Sequence, residues 1–148
     1  MPAPTIVDQT VTTECGQLFK TISKHRNGLI GNISRWTIAI SDEYNCFKNA
    51  LAYTGKRVNQ YDSLELCWGI HTSYGSLSKL GENNNSTNIK FAKFTKHSNN
   101  REWHGYPADY QYNPQDVPET SFLKKLKEEN YLTKAKLNKI IQGKSCNL

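Results

Sequence analysis

Leu, Ile, Val and Phe make up only 31 of the 148 residues, about 21%, barely above the ~20% below which a charged chain tends to stay unfolded. An ordinary aliphatic core is therefore out of reach. Sixteen aromatics (three Trp, eight Tyr, five Phe) close the gap, because each buries roughly 150–250 Å². The expectation is a folded domain with a core built largely from rings, at a length that buries roughly 70% of its unfolded surface. That length argues against a multidomain enzyme. The strongly apolar runs, such as Trp36 to Ile40, extend about five residues, against the ~20 that a membrane-crossing helix needs.

Patterning divides the chain into a flexible arm over 1–13, an α+β core over 14–117 and a basic helical hairpin over 118–148 packed on that core. The arm carries Pro2 and Pro4, with neither a charged n-region nor an apolar h-region. The expected location is cytoplasmic, or reached by a non-classical export route. Leu18, Phe19 and Ile22 recur at helical intervals, predicting a short helix over 14–26 that Asn27-Gly28 breaks. Residues 35–41 read as a buried strand. Asp42 then caps a helix bearing Tyr44, Phe47, Ala50 and Leu51 on one face and ending at Gly55. Residues 64–75 read as a strand and a turn, and 81–88 as a polar loop. A strand over 88–97, with a phase slip near Ala92, turns at Ser98-Asn99-Asn100 into a return strand stopped by Pro107.

The last thirty residues carry end signals. Asp116 and Glu119 have capping-box spacing for a helix that buries Phe122, Leu123 and Leu126. Thr133 caps a second helix, with Leu132 and Leu137 at the staple positions, a stripe of Leu137, Ile140 and Ile141, and Gly143 at C′. The architecture expected is α+β: a small antiparallel sheet packed against helices, with a C-terminal helical hairpin.

Of the net charge of +6, +4 falls in 118–148, where seven Lys face three Glu. A solvated face accounts for this, and so does a surface that contacts phosphates. The segment TKAKLNKIIQGK resembles the recognition helix and following Gly of repressor-type helix-turn-helix proteins, over about 22 residues with the helix before it. The resemblance implies that Lys134, Lys136, Asn138 and Lys139 face a groove.

The densest set of reactive groups lies in 90–110. A metal-independent ribonuclease needs a general base, a general acid and a cation on the scissile phosphate. His104, Arg101 and Lys93 are the catalytic candidates, with His104 taking the proton of a ribose 2′-hydroxyl. Lys90, Lys96, Trp103, Tyr106, Lys134, Lys136 and Lys139 are the nucleic-acid-binding candidates, with Trp103 and Tyr106 stacking on bases. The plainer account makes Trp103 and Tyr106 core, His104 bonded to backbone and the lysines solvated. His25, beside Arg26, reads as plain surface.

Cys15, Cys46, Cys67 and Cys146 form no CxxC or zinc spacing, and all four are expected reduced. Cys46, near the first turn of its helix, would be the most reactive. With His104 (or His71) and Asp109 it would make the alternative catalytic set of a thiol hydrolase. A buried helical Cys explains it as well. No Gly-rich phosphate loop, HExxH pair or EF-hand loop occurs, so neither metal nor cofactor is expected. Three readings follow. They are a small basic nucleic-acid-acting domain such as an RNase-like toxin or effector, a non-catalytic inhibitor- or immunity-type interaction protein, and a thiol hydrolase. The partner is RNA more readily than DNA, or an acidic protein surface, and not a membrane.

Overall fold

Residues 102–107, EWHGYP, alternate between half-buried and buried positions, the signature of a strand with one covered face. In the structure, a computed structural model describing residues 8–26 and 33–148, they are the middle strand of a five-stranded sheet. The strands are β1 (Gln9–Thr12), β2 (Leu18–Thr21), β3 (Arg35–Trp36), β4 (Leu66–Gly69), β5 (His71–Ser73), β6 (Ser76–Ser78), β7 (Gly81–Glu82), β8 (Asn88–Ile89), β9 (Ala92–Lys96) and β10 (Glu102–Pro107). The helices are α1 (Ile40–Tyr53), α2 (Thr120–Glu128) and α3 (Lys134–Ile141). The main sheet has the order β1-β2-β10-β9-β4, with β3-β7-β8 and β5-β6 as small satellites. The fold is α+β, as expected. The main sheet is mixed rather than purely antiparallel, because β2 runs parallel to β10.

Alternation splits the sheet into two faces with different cover. Phe19, Cys67, Phe94 and Trp103 share one face and pack with Phe47, Ala50 and Leu51 of α1. From β4, Trp68 projects to the other face and joins a second core with Phe91 and with Phe122, Leu123, Leu126, Leu137 and Ile140 of α2 and α3. His104 and Tyr106 of β10 share that second face but stay half-buried. All three Trp and all five Phe are buried, so rings do build the core.

Several local expectations are corrected. The helix over 14–26 is instead a turn, strand β2 and a 3-10 turn over Ser23–His25. Phe19 sits opposite Trp103 in the parallel pair, and tertiary pairing overrides the helical spacing. Residues 9–12 of the expected arm form β1 against β2, while 1–7 and the Asn27-Gly28 break lie outside the described residues. Of the strand expected over 35–41, only Arg35–Trp36 pairs in a sheet. The helix begins at Ile40 with Ala39 as N-cap, so Asp42 lies inside the first turn and Cys46 in the second. The polar loop over 81–88 begins with the two-residue strand β7 and ends at Asn88, the first residue of β8, which pairs with β7. Asp116 caps nothing: it ends a 3-10 turn and is buried, and Glu119 is the N-cap of α2 without a side-chain bond. Ile141 is 42% exposed and does not join the stripe.

The cap and stop signals of α3 hold. Thr133 Oγ1 accepts from Lys136 N. At the other end of α3, Gly143 N donates to Ile140 O at 2.9 Å and Lys144 N to Lys139 O at 2.8 Å, the paired bonds of a Schellman stop, with Gly143 at φ 71°. Thr133→Ala should therefore cost about 1 kcal/mol in urea denaturation. Gly105→Ala should cost more, about 3 kcal/mol, because its Cβ would overlap the Phe94 ring.

Candidate active site

Strand β2 delivers the chain from the sheet into the turn Ser23–His25. The turn is held on both sides. Asp8 Oδ1 accepts from Ser23 N at 2.7 Å. On the other side, Arg26 reaches α1, where Nε and Nη2 donate to Glu43 Oε1 at 3.1 and 2.6 Å. Arg26 Nη1 also donates to Ile38 O, and its guanidinium lies 5.9 Å from the Trp36 ring centre. Glu43 is fully buried, and its Oε2 has no hydrogen-bond partner among the described residues. Burial pushes this carboxyl up to about 7 in spite of Arg26.

Clamped this way, His25 is buried rather than on the surface, which corrects the expectation for it. Its Nδ1 lies 2.8 Å from Ser34 O. A carbonyl only accepts, so Nδ1 carries the proton and the Nε2 lone pair is left available. The ring stacks on Tyr106 with centres 5.5 Å apart and planes 18° apart. Tyr106 in turn donates to Asp116 Oδ1 at 2.7 Å.

His25 and His104 line the same cleft, of about 310 Å³, together with Lys24, Tyr106, Asn83 and Asp109. That volume is at the small end of ligand sites. His104 Nε2 is 3.4 Å from Thr95 Oγ1, a long contact, and the β2–β10 register brings Lys20 alongside it. Burial lowers both imidazoles below the ordinary 6.5. For His25 the Ser34 carbonyl opposes this, while Lys24 and His104 add to it. For His104 the further causes are the charges of Lys24, His97 and Lys20. Burial and the Asp116 carboxylate raise the Tyr106 hydroxyl, so it stays protonated. The cleft thus offers two neutral imidazoles, with Lys24 and the carboxylates of Asp109 and Asp116 on the same walls, an arrangement able to exchange protons with a ligand.

The other expected catalytic groups are elsewhere. Lys93 donates to Gln115 O at 2.7 Å and approaches Asp116 at 3.6 Å. Arg101 donates to Asp62 O. Lys96, on the opposite face from His104, donates to Tyr61 O and Asp62 O, both at 3.2 Å. Lys90 donates to Leu148 O. Trp103 is fully buried and donates to Gln17 Oε1 at 3.0 Å, so it cannot stack on a base. Tyr106 stacks on His25 instead. Lys134 and Lys139 are exposed and Lys136 is half-buried, all on α3 and none lining the histidine cleft.

Cys46 and His104 lie on opposite sides of the sheet, which removes the thiol-hydrolase set. Asp109 shares the histidine cleft with His104 but is bonded to Asn83. Cys46 borders another cleft with His71, yet it is 2% exposed, and burial pushes its thiol far up. All four cysteines are free thiols. Among the described residues, no group of three or more His, Cys, Asp or Glu is placed to hold a metal ion, and no helix is long and apolar enough to cross a membrane.

A lowered imidazole stabilises the fold fully above pH 6.5. Below it, the unfolded chain takes up protons that the native state refuses, and stability falls. Glu43 acts oppositely, with the native state holding the extra proton between pH 4.5 and about 7. A His25→Gln, His104→Gln double variant should therefore lose less stability than the parent protein on going from pH 6.5 to 5, read by urea denaturation. Thiol labelling of the native protein should modify the half-buried Cys15 and Cys146 first. Cys46 and Cys67 should react only on global unfolding.

No protein-family model matches this chain, and neither a curated protein nor a solved structure is significantly similar to it.

Proposed function

We propose that the protein is a metal-independent ribonuclease working at the histidine cleft. The observation that carries this reading is the pair of imidazoles in one cleft, one of them with its tautomer fixed by a backbone carbonyl. Neutral His25 is the base: its Nε2 takes the proton from a ribose 2′-hydroxyl. The 2′-oxygen bonds to phosphorus, and the bond from phosphorus to the 5′-oxygen breaks. Protonated His104 gives its proton to that leaving oxygen, and the products are a 2′,3′-cyclic phosphate and a 5′-hydroxyl end. The substrate itself supplies the acid form, because a phosphodiester beside an imidazole raises its pKa. Lys24, on the cleft wall, stabilises charge gathering on phosphorus. The lysines of α3 add sequence-independent attraction to a phosphate backbone.

This differs from the set expected from sequence in two ways. His25 replaces Arg101 and Lys93, and His104 acts as acid rather than base. The interaction-protein reading keeps fewer anchors, because every Trp is buried and the exposed large aromatics among the described residues are Tyr74 and Tyr112.

In EDTA the protein should cleave single-stranded RNA to cyclic-phosphate ends. His25→Ala and His104→Ala should each lower kcat by roughly 10²- to 10⁴-fold. Because both imidazoles are lowered in the free protein, kcat/KM should be bell-shaped in pH with its maximum below 6.5. Equal cleavage by the parent protein and both variants would refute the assignment.

A further inference from the structure

Two carboxylates line the histidine cleft, and bond cleavage leaves one of them without a role. Asp116 is buried, with one oxygen, Oδ1, accepting from Tyr106 at 2.7 Å and lying 3.6 Å from the Lys93 ammonium. Asp109 is held but unspent. Its Oδ2 accepts from Asn83 Nδ2 at 2.9 Å. No cation pairs with it among the described residues, and Oδ1 has no donor among them. Asn83 is 4% exposed, and its Oδ1 accepts backbone N–H groups of Asn85 and Thr87 at 2.9 and 3.0 Å. Those two bonds fix the amide, so Nδ2 faces Asp109 and locks it. The Asp109 carbonyl accepts from Tyr112 N and Asn113 N, which anchors the backbone as well.

A locked carboxylate repels a phosphodiester, so its partner in an RNA ligand must be a hydrogen-bond donor. Nucleobases differ sharply here. Guanine presents two adjacent N–H donors, N1–H and N2–H, which match the two oxygens of one carboxylate. Adenine and cytosine present one amino group beside a ring acceptor, and uracil one N–H between two carbonyls. Resting on the ribonuclease reading, we propose that Asp109, positioned by Asn83, recognises guanine next to the scissile phosphate.

The experiment has a binding arm and a cleavage arm. Guanosine, adenosine, cytidine and uridine 3′- and 5′-monophosphates are titrated against the His25 and His104 ring-proton resonances. Guanosine should bind about 10- to 100-fold more tightly than the others, the discrimination of a good bidentate base contact. Inosine monophosphate lacks the N2 amine and N1-methylguanosine monophosphate lacks N1–H, and each should lose about 10-fold with the protein intact. In Asp109→Asn the guanosine preference should fall towards one. In the second arm, GpU and UpG are compared with ApU and UpA, and the faster guanine dinucleotide should lose its advantage in Asp109→Asn. No guanosine preference, or one unchanged by N1-methylation, overturns the proposal. Cleavage of all dinucleotides at one rate overturns it while the ribonuclease reading stands. Selective guanosine binding without cleavage upholds the recognition site and removes the ribonuclease reading. Should Asp109→Asn unfold, the inosine and N1-methylguanosine titrations decide alone.

Discussion

The architecture depends on one close contact, the Phe94 ring packed where a side chain at position 105 would have to be. Phe94 is the hub of the aromatic core, with ring centres 5.4 Å from Phe47 and 6.1 Å from both Phe19 and Trp36. The Gly105 carbonyl accepts from Trp36 Nε1 at 3.3 Å, so the same residue seats two of the rings. Stiff rings cannot re-pack as Leu or Met can, and this fixes the register of β9 against β10. With positions 103, 105 and 107 turned inwards, His104 and Tyr106 must turn outwards. A slip of one residue would bury the imidazole and expose Trp103. The cleft is therefore a consequence of core packing on the far side of the sheet.

How much of this was legible follows from which forces are local. Helix α3 could be read because its cap and its stop involve groups three to five positions apart, at Thr133 and Gly143. The β9–β10 hairpin and its end at Pro107 were legible for the same reason. Strand β2 was not. Its spacing of Leu18, Phe19 and Ile22 suits a helix, and only the distant partner Trp103 makes Phe19 a strand residue. The site was half legible. His104 stood out in a dense basic segment, whereas His25 looked like a surface residue beside an arginine. The signal that could have flagged it was an acidic residue at a helix start, Glu43, able to bury that arginine.

The misassigned cations share one cause. The chain carries 19 basic residues against 13 acidic ones, and many of its cations serve as donors to main-chain carbonyls. Lys90, Lys93, Lys96, Arg101 and Lys125 donate to carbonyls of Leu148, Gln115, Tyr61 or Asp62, Asp62 and Tyr53. Turns and chain ends leave such carbonyls unpaired, and a long cationic side chain reaches them from a neighbouring element. A basic stretch in this composition therefore marks interior carpentry as readily as a phosphate track.

Arg26 follows the same habit, donating to the Ile38 carbonyl, but it adds a buried carboxylate, and that addition needs a reason. Burying an ion pair returns little net stability, since desolvation offsets most of the attraction. Here an oxygen of Glu43 is also left without a partner among the described residues, which worsens the balance. An apolar pair of similar volume would stabilise the fold at least as well. What an apolar pair would lack is direction: two charge-assisted bonds from Arg26 to one oxygen hold the turn at a defined angle to α1. The next residue back in the chain is His25, whose ring must keep one nitrogen on Ser34 and the other towards the cleft. A turn free to roll would lose that alignment while the sheet and helices stayed intact. The energetic cost of Glu43 is therefore tied to the orientation of one imidazole rather than to the stability of the fold.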